Sequence, residues 1–561
     1  MPPSVPPPSL RKAFHFTDLG TRKPTRPTDP YEYQAGFGNT FSSEVIPGTL
    51  PAAINNPRRT RFGLYTEGLT DSAFVAPRDA NFSTFMYRAR PAMAHDGYRD
   101  SFTHKSNLEN CFLPLNAKVQ PLTGETDFDP FPIPETDTDF IDGLHTLLGS
   151  GDPNLRQGLA QHVYAINTDM DHRALCNSDG QTLITPQLGT LDIQTELGML
   201  YVEPGEFVVI PRGIRFAVRL AAGNGDGSAG AGAGAGAGTG ARGFVTEIWG
   251  SSWRLPDLGP LGGHALAEPS DFLYPVACID GLDALHERWT IVTKADGRYM
   301  AFEQDHSPFD VVAWRGNVVP YKYDLTKFAP AHSTSVDHID PSVNTVLTAP
   351  SSDPHTPLAD FLRFGPRWDA TSNTFRPPYF HRNAASEFVG YIYAPGHGHG
   401  GRAMHAGGSA KVIVSHTPHG FEAGAVRAEM GVGLEDEAGA KEEREGEGPR
   451  KILQGESACL SFVPGVVVAL VDANVAAETL MVMVETSRSL LGTEYAVERA
   501  GVLKRDFAMN TRARDILKDN FSAYPNIENI LARAKADREG RRRQVERFFD
   551  DEALQGIAGL E

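Results

Sequence analysis

Residues 198–220 read GMLYVEPGEFVVIPRGIRFAVRL, and the fold is decided by how this stretch is read. Short runs rich in valine, isoleucine, phenylalanine and tyrosine are cut by Pro/Gly turns, which is the composition of brief strands joined tightly. The same texture returns in RWTIVTKADGRYMAFEQ (288–304), KVIVSHTPHG (411–420) and ACLSFVPGVVVALVDANVAAETLMVMVETS (458–487). Strands spaced in this way predict an antiparallel barrel or sandwich.

Inside the opening stretch, GEFVVIPRG (205–213) sets a glycine, five residues, a proline, one residue and a glycine in order. This resembles the second motif of cupin barrels, in which a metal-binding histidine follows three positions later. That position is Phe216 here. The resemblance implies an N-terminal barrel without a metal, so the histidine-rich C-terminal half must supply any metal site.

Working outward, 561 residues with 40% hydrophobic and 22% charged side chains exceed one ordinary domain and can bury a large core. A net charge of −18 opposes binding to nucleic acid or to anionic membranes and favours a small-molecule partner. The 4 cysteines show no CxxC spacing, so neither a zinc site nor a disulfide framework is expected. Prolines fill the N-terminus where a signal peptide would be apolar, and no later apolar run is long enough to span a bilayer. The expectation is a cytoplasmic protein.

Biased segments divide the chain. Residues 1–30 are rich in proline and basic residues and read as an unpacked tail. The Gly/Ala-rich stretch 223–243 falls between IRFAVRLA (214–221) and GFVTEIWG (243–250) and reads as an oversized hairpin loop. The charged, glycine-rich stretch 429–451 reads as a solvated insertion. From about 505, TRARDILKDNF and NIENILARAKADREGRRRQVERFFDDEAL carry helical periodicity. The fold class expected is mainly β: two β-barrel or jelly-roll, cupin-like domains at 31–325 and 326–504, with a helical extension over 505–561.

The chemistry concentrates in FRPPYFHRNAASEF (375–388) and HTPHG (416–420). Two imidazoles and a carboxylate on one face of an Fe(II) ion leave the opposite face open for substrate and oxygen. His381 and Glu387 would stand roughly 20 Å apart in one extended strand. The intervening RNAAS must therefore turn. His419, after the strand-like KVIVSH, could close the face, although His397, His399, His405 and His416 crowd the same segment and spacing alone does not choose among them. The GHGHGG run (396–401) lacks the strand–loop–helix setting of a phosphate-binding loop, and no GxSxG elbow or P-loop lysine is present.

Long segments resemble the homogentisate 1,2-dioxygenase family: YQAGFGNTFSSE (33–44), PGTLPAAINNP (47–57), GLHTLLGSGDP (143–153), NSDGQTLITPQLG (177–189), LPDLGPLG (255–262), SPFDVVAWRGNVVPYKYDL (307–325), DHIDPSVNTVLTA (337–349) and FRPPYFHRNAASEFVG (375–390). The resemblance runs from about Tyr33 to about Leu491. It implies that His381, Glu387 and His419 are the metal ligands, that the metal is Fe(II), that His419 also borders the bound substrate, and that His338 is the catalytic histidine. By the same resemblance the substrates are homogentisate and O2, the product is maleylacetoacetate, and the assembly is a trimer or hexamer.

The chain departs from the family pattern around the substrate. A family tyrosine after the glutamate ligand falls at Gly398, with Tyr391 or Tyr393 as possible substitutes; a second family histidine falls at Ile413, with His416 nearby; and Arg315 stands where several relatives have histidine. Two alternatives therefore stand beside a homogentisate dioxygenase. One is a paralogue that cleaves a related dihydroxylated aromatic acid such as gentisate, and the other is a non-catalytic cupin-like protein.

Overall fold

The computed structural model describes residues 21–22, 26, 28–51, 60–73, 75–99, 107–122, 124–221, 240–256, 267–281, 286–328, 344–353, 356–365, 380–393, 407–420, 480–500, 535–536 and 539, with backbone alone at 21, 22, 380, 381 and 420. The fold is mainly β. Among the described residues, α-helix is confined to Glu494–Arg499 and to positions 535, 536 and 539, and no helix is long and apolar enough to cross a membrane.

An 11-stranded sheet and a 6-stranded sheet carry most of the N-terminal half. The strand Glu206–Ile210 is buried on both faces, which explains why EFVVI runs apolar without alternating. Trp289–Ala295 and Arg298–Gln304 form a hairpin through Asp296 and Gly297, whose φ values of 53° and 65° belong to the turn that matches strand twist.

A second 6-stranded sheet bears Glu387 and orders its strands Thr345–Pro350, Pro357–Phe364, Leu480–Thr486, Ser386–Tyr393, Ala410–Ile413 and Glu125–Phe128. Successive strand residues point to opposite faces. Phe388 and Phe361 therefore pack inward, 5.6 Å from Phe244 and 5.1 Å from Phe207 between ring centroids, while Glu387 is presented on the other face. The small cluster of Leu362, Phe364, Val389 and Met483 lies farther along that same face.

Two expectations are corrected. The stretch 223–243 does not close a hairpin: Arg215–Leu220 lies between Arg173–Asn177 and Leu191–Thr195, whereas Ala241–Trp249 lies between Gly180–Leu188 and Gln157–Ile166 in the other sheet. Loop-closure entropy grows slowly with length, so a long connector can pass between sheets at little extra cost. The last part of the supposed tail is also packed. Thr21–Arg22 pairs with Tyr33–Gln34, Arg26 grips Asp324 with both Nε and Nη2 at 3.1 Å, and buried Asp29 meets Lys322. These buried counter-charges tie the segment to the body of the fold.

The sheets also exchange strands between the two sequence halves. Glu125–Phe128 pairs with Ala410–Ile413, and Leu491–Thr493 pairs with Leu144–Asp152. The insertion at 429–451 and nearly all of 505–561 lie outside the described residues.

Candidate metal centre

Residues 382–385 leave strand geometry between Phe380–His381 and Ser386–Tyr393, which is the turn that the separation of His381 and Glu387 requires. The second turn, from Val414 to Pro418, reverses the chain with His416 at φ 60° and delivers His419 to a two-residue strand. There His381 and His419 are opposed in antiparallel register. The three expected ligands are thus drawn from two turns onto neighbouring backbone.

Asn383 ties the two turns together. Its carbonyl accepts from the His416 N–H at 2.7 Å, and its Nδ2 donates to Glu387 Oε1 at 2.6 Å. His419 Nε2 stands 3.2 Å from the same Glu387 oxygen. Its Nδ1 lies 2.8 Å from Thr417 O, a carbonyl that can only accept, so Nδ1 carries a hydrogen. Nε2 then faces the Glu387 carboxylate: it carries the proton of the His419–Glu387 pair when no cation is bound, and it is the nitrogen whose lone pair a metal ion would take in that proton's place.

Both side chains are buried, Glu387 at 3% exposure and His419 at 7%. Burial alone would lower the His419 pKa, but the hydrogen bond and charge of Glu387, aided by the Thr417 carbonyl, hold it above its ordinary value. The pair thus already attracts positive charge. Directly opposed residues in a sheet share a face. Along one such row stand Glu125, Ile413, Glu387, Glu485 and Asp360, so four of the five positions are acidic. Burial pushes the Asp360 carboxyl up, opposed by a hydrogen bond from Thr348.

The remaining expected residues are distributed as follows. Tyr391 shares the Glu387 face and packs on the small apolar cluster, whereas the Tyr393 hydroxyl donates to Pro204 O and is engaged away from the site. Ile413 is buried opposite Glu387, His416 is exposed, and Arg315 is exposed on its strand. Phe216 is fully buried in the main core. His338, His397, Gly398, His399, His405 and the side chain of His381 lie outside the described residues. Among those that are described, no group of three His, Cys, Asp or Glu residues could hold an ion.

Two features escaped the sequence. Asn383 was visible only as a polar residue in a necessary turn, a weak signal that could have been weighed. Glu125 arrives from the N-terminal half, and nothing local announces it.

Comparison with known proteins adds to this geometry. Residues 32–325 match the family model "Homogentisate 1,2-dioxygenase N-terminal", and residues 326–437 match "Homogentisate 1,2-dioxygenase C-terminal". The homogentisate 1,2-dioxygenase of Arabidopsis thaliana is 43% identical over 395 residues, covering 69% of this chain and 80% of that protein. The Caenorhabditis elegans enzyme of the same name is 42% identical over 395 residues, covering 70% and 84%. Among solved structures, oxalate decarboxylase from Bacillus subtilis aligns at 9% identity over 70% of this chain and 86% of its own, with a TM-score of 0.22, a likeness too loose to carry an argument. With both family models matched in tandem across most of its length, the chain belongs to the homogentisate 1,2-dioxygenase family.

Proposed function

We propose that this protein opens the ring of homogentisate with O2 to give maleylacetoacetate, placing both oxygen atoms in the product and using Fe(II) held by His381, Glu387 and His419. The observation that carries the ligand assignment is the buried His419–Glu387 pair, with an imidazole hydrogen on the far nitrogen and His381 opposed to His419 in the backbone register. This donor set of nitrogen and oxygen suits Fe(II) and leaves positions open.

When bound, Fe(II) supplies the electronic route between a spin-paired aromatic diol and triplet dioxygen. The chain supplies the rest. Asn383 fixes the Glu387 carboxylate, the Thr417 carbonyl fixes the His419 tautomer, and the acidic row holds the local field negative for a dication. His419 also borders the substrate. His338 takes and returns the proton of a ring hydroxyl, a task suited to an imidazole near neutral pH. In this reading the fold comprises two jelly-roll-like halves with a helical extension over 505–561, assembled as trimers or hexamers in the cytoplasm.

The test is anaerobic loading with Fe(II), followed by oxygen uptake with homogentisate and with gentisate. Uptake with homogentisate and ring-opened product is expected, His381→Ala should fail to retain iron, and His338→Ala should retain iron but lose most turnover. Uptake with gentisate alone would assign the paralogous reaction, and no iron retention in the unaltered protein would remove both.

A further inference from the structure

A cleft of about 450 Å³ opens where Asp71, Phe82, Arg156, Gly250 and Ser351 meet Arg488. None of the expected site residues lines it. Four arginines do, Arg156, Arg212, Arg254 and Arg488, against two carboxylates, Asp71 and Asp179.

Both carboxylates are already engaged. Asp71 accepts from Arg212 Nε at 2.6 Å, and Asp179 accepts from Lys294 Nζ at 2.6 Å. Arg156, Arg254 and Arg488 have no carboxylate partner among the described residues, and the Arg488 Nε is buried without a hydrogen bond. Three uncompensated guanidinium groups around one concavity are unusual in a chain of net charge −18. The backbone positions them firmly. Arg254 exchanges hydrogen bonds with Thr348 at 2.8 Å in both directions, and Gly250, at φ 71°, lets the chain pass so close to Arg156 that a Cβ would fall 1.8 Å from its carbonyl oxygen.

We propose that this cleft is a binding site for a small molecule bearing carboxylate or phosphate oxyanions. Guanidinium groups donate in a planar fork that matches either oxyanion, and a cleft of this volume suits a small molecule. Two or more negative charges match the arginines better than one.

The experiment is calorimetric titration of the full chain at fixed ionic strength with maleate, inorganic phosphate and phenylacetate. Saturable binding is expected for maleate or phosphate and weaker binding for phenylacetate. Maleate without phosphate would assign a dicarboxylate ligand, and phosphate without maleate a phosphate ligand. Arg156→Ala and Arg254→Ala, both at exposed positions, should each weaken binding by roughly tenfold, whereas exposed Arg298→Ala should not. Absence of saturable binding, binding unchanged in the Arg156→Ala/Arg254→Ala double variant, or binding abolished by His419→Ala would overturn the assignment. So would a change in oligomeric state in the arginine variants with no anion bound, which would make the cleft a subunit interface. Because the readout is binding, the result is independent of which ring the enzyme cleaves.

Discussion

His419 Nε2 approaches Glu387 Oε1 to 3.2 Å, and the residue that sets the meeting is Asn383, bonded through its side chain to that same oxygen at 2.6 Å. Asn383→Ala would free the carboxylate to rotate and leave the His416 backbone contact in place. Partners of this kind typically contribute 10–100-fold to metal affinity. Competition with a chelator should show a loss in that range, while the melting temperature changes little. Unaltered affinity would reduce Asn383 to a turn residue.

A second prediction concerns a buried charge cluster built around Lys294. Lys294 Nζ lies 2.6 Å from Asp179 and 2.9 Å from Glu247, and Glu247 also accepts from Asn177 and from Trp249 at 3.0 Å. Burial would push the Glu247 carboxyl up, but Lys294 and His162 hold it far below its usual range. Glu247→Gln should cost about 3–5 kcal/mol, the penalty for breaking a buried pair. The double variant with Lys294→Met should be less destabilised than the two single costs added together. Thermal melts of the three variants decide it, and simple additivity would mean that the cluster is not energetically coupled.

Such clusters mark the limit of what could be read in advance. Alternation identified strands such as Trp289–Ala295, and the Asp296–Gly297 turn between them is local chemistry. The turn between His381 and Glu387 followed from strand length alone. Partnership did not, because side-chain periodicity states which face is buried but not which distant strand covers it. Glu125–Phe128 beside Ala410–Ile413 is one such case, and the separate sheets of Arg215–Leu220 and Ala241–Trp249 are another. Nothing local in the sequence announces Lys294 and Lys322 as buried charges, because their carboxylates arrive from elsewhere in the chain.

The N-terminal segment yields a third prediction from the same cause. Lys322 is fully buried and bonds to Asp29 Oδ2 at 2.5 Å, Tyr201 O at 2.6 Å and Glu206 Oε1 at 3.1 Å. Asp29→Ala removes one of its two counter-charges and should cost roughly 3 kcal/mol. Truncation at residue 31 should lower the melting temperature at least as far. If the truncated protein melted like the full chain, residues 21–30 would be the inert tail that their composition suggested.

The pH dependence of stability supplies a fourth. His145 stacks on Tyr495 with ring centroids 4.4 Å apart, and Asn107 Nδ2 donates to its Nε2 at 3.2 Å, which places the ring hydrogen on a buried Nδ1. Burial, reinforced by the Arg499 charge, pushes its pKa down to about 4 from an ordinary 6.5. Between those values the unfolded chain binds a proton that the folded chain refuses. The contribution of His145 is therefore complete above about 6.5, is lost as pH falls toward 4, and is constant below that. The gap corresponds to at most roughly 3 kcal/mol. His145→Phe keeps a ring against Tyr495 and removes the titration, so its melting temperature should fall less steeply than that of the unaltered protein from pH 7 to pH 4.5. Parallel curves over that interval would show that the acid sensitivity lies elsewhere, with buried His162, whose pKa burial also lowers, the next residue to vary.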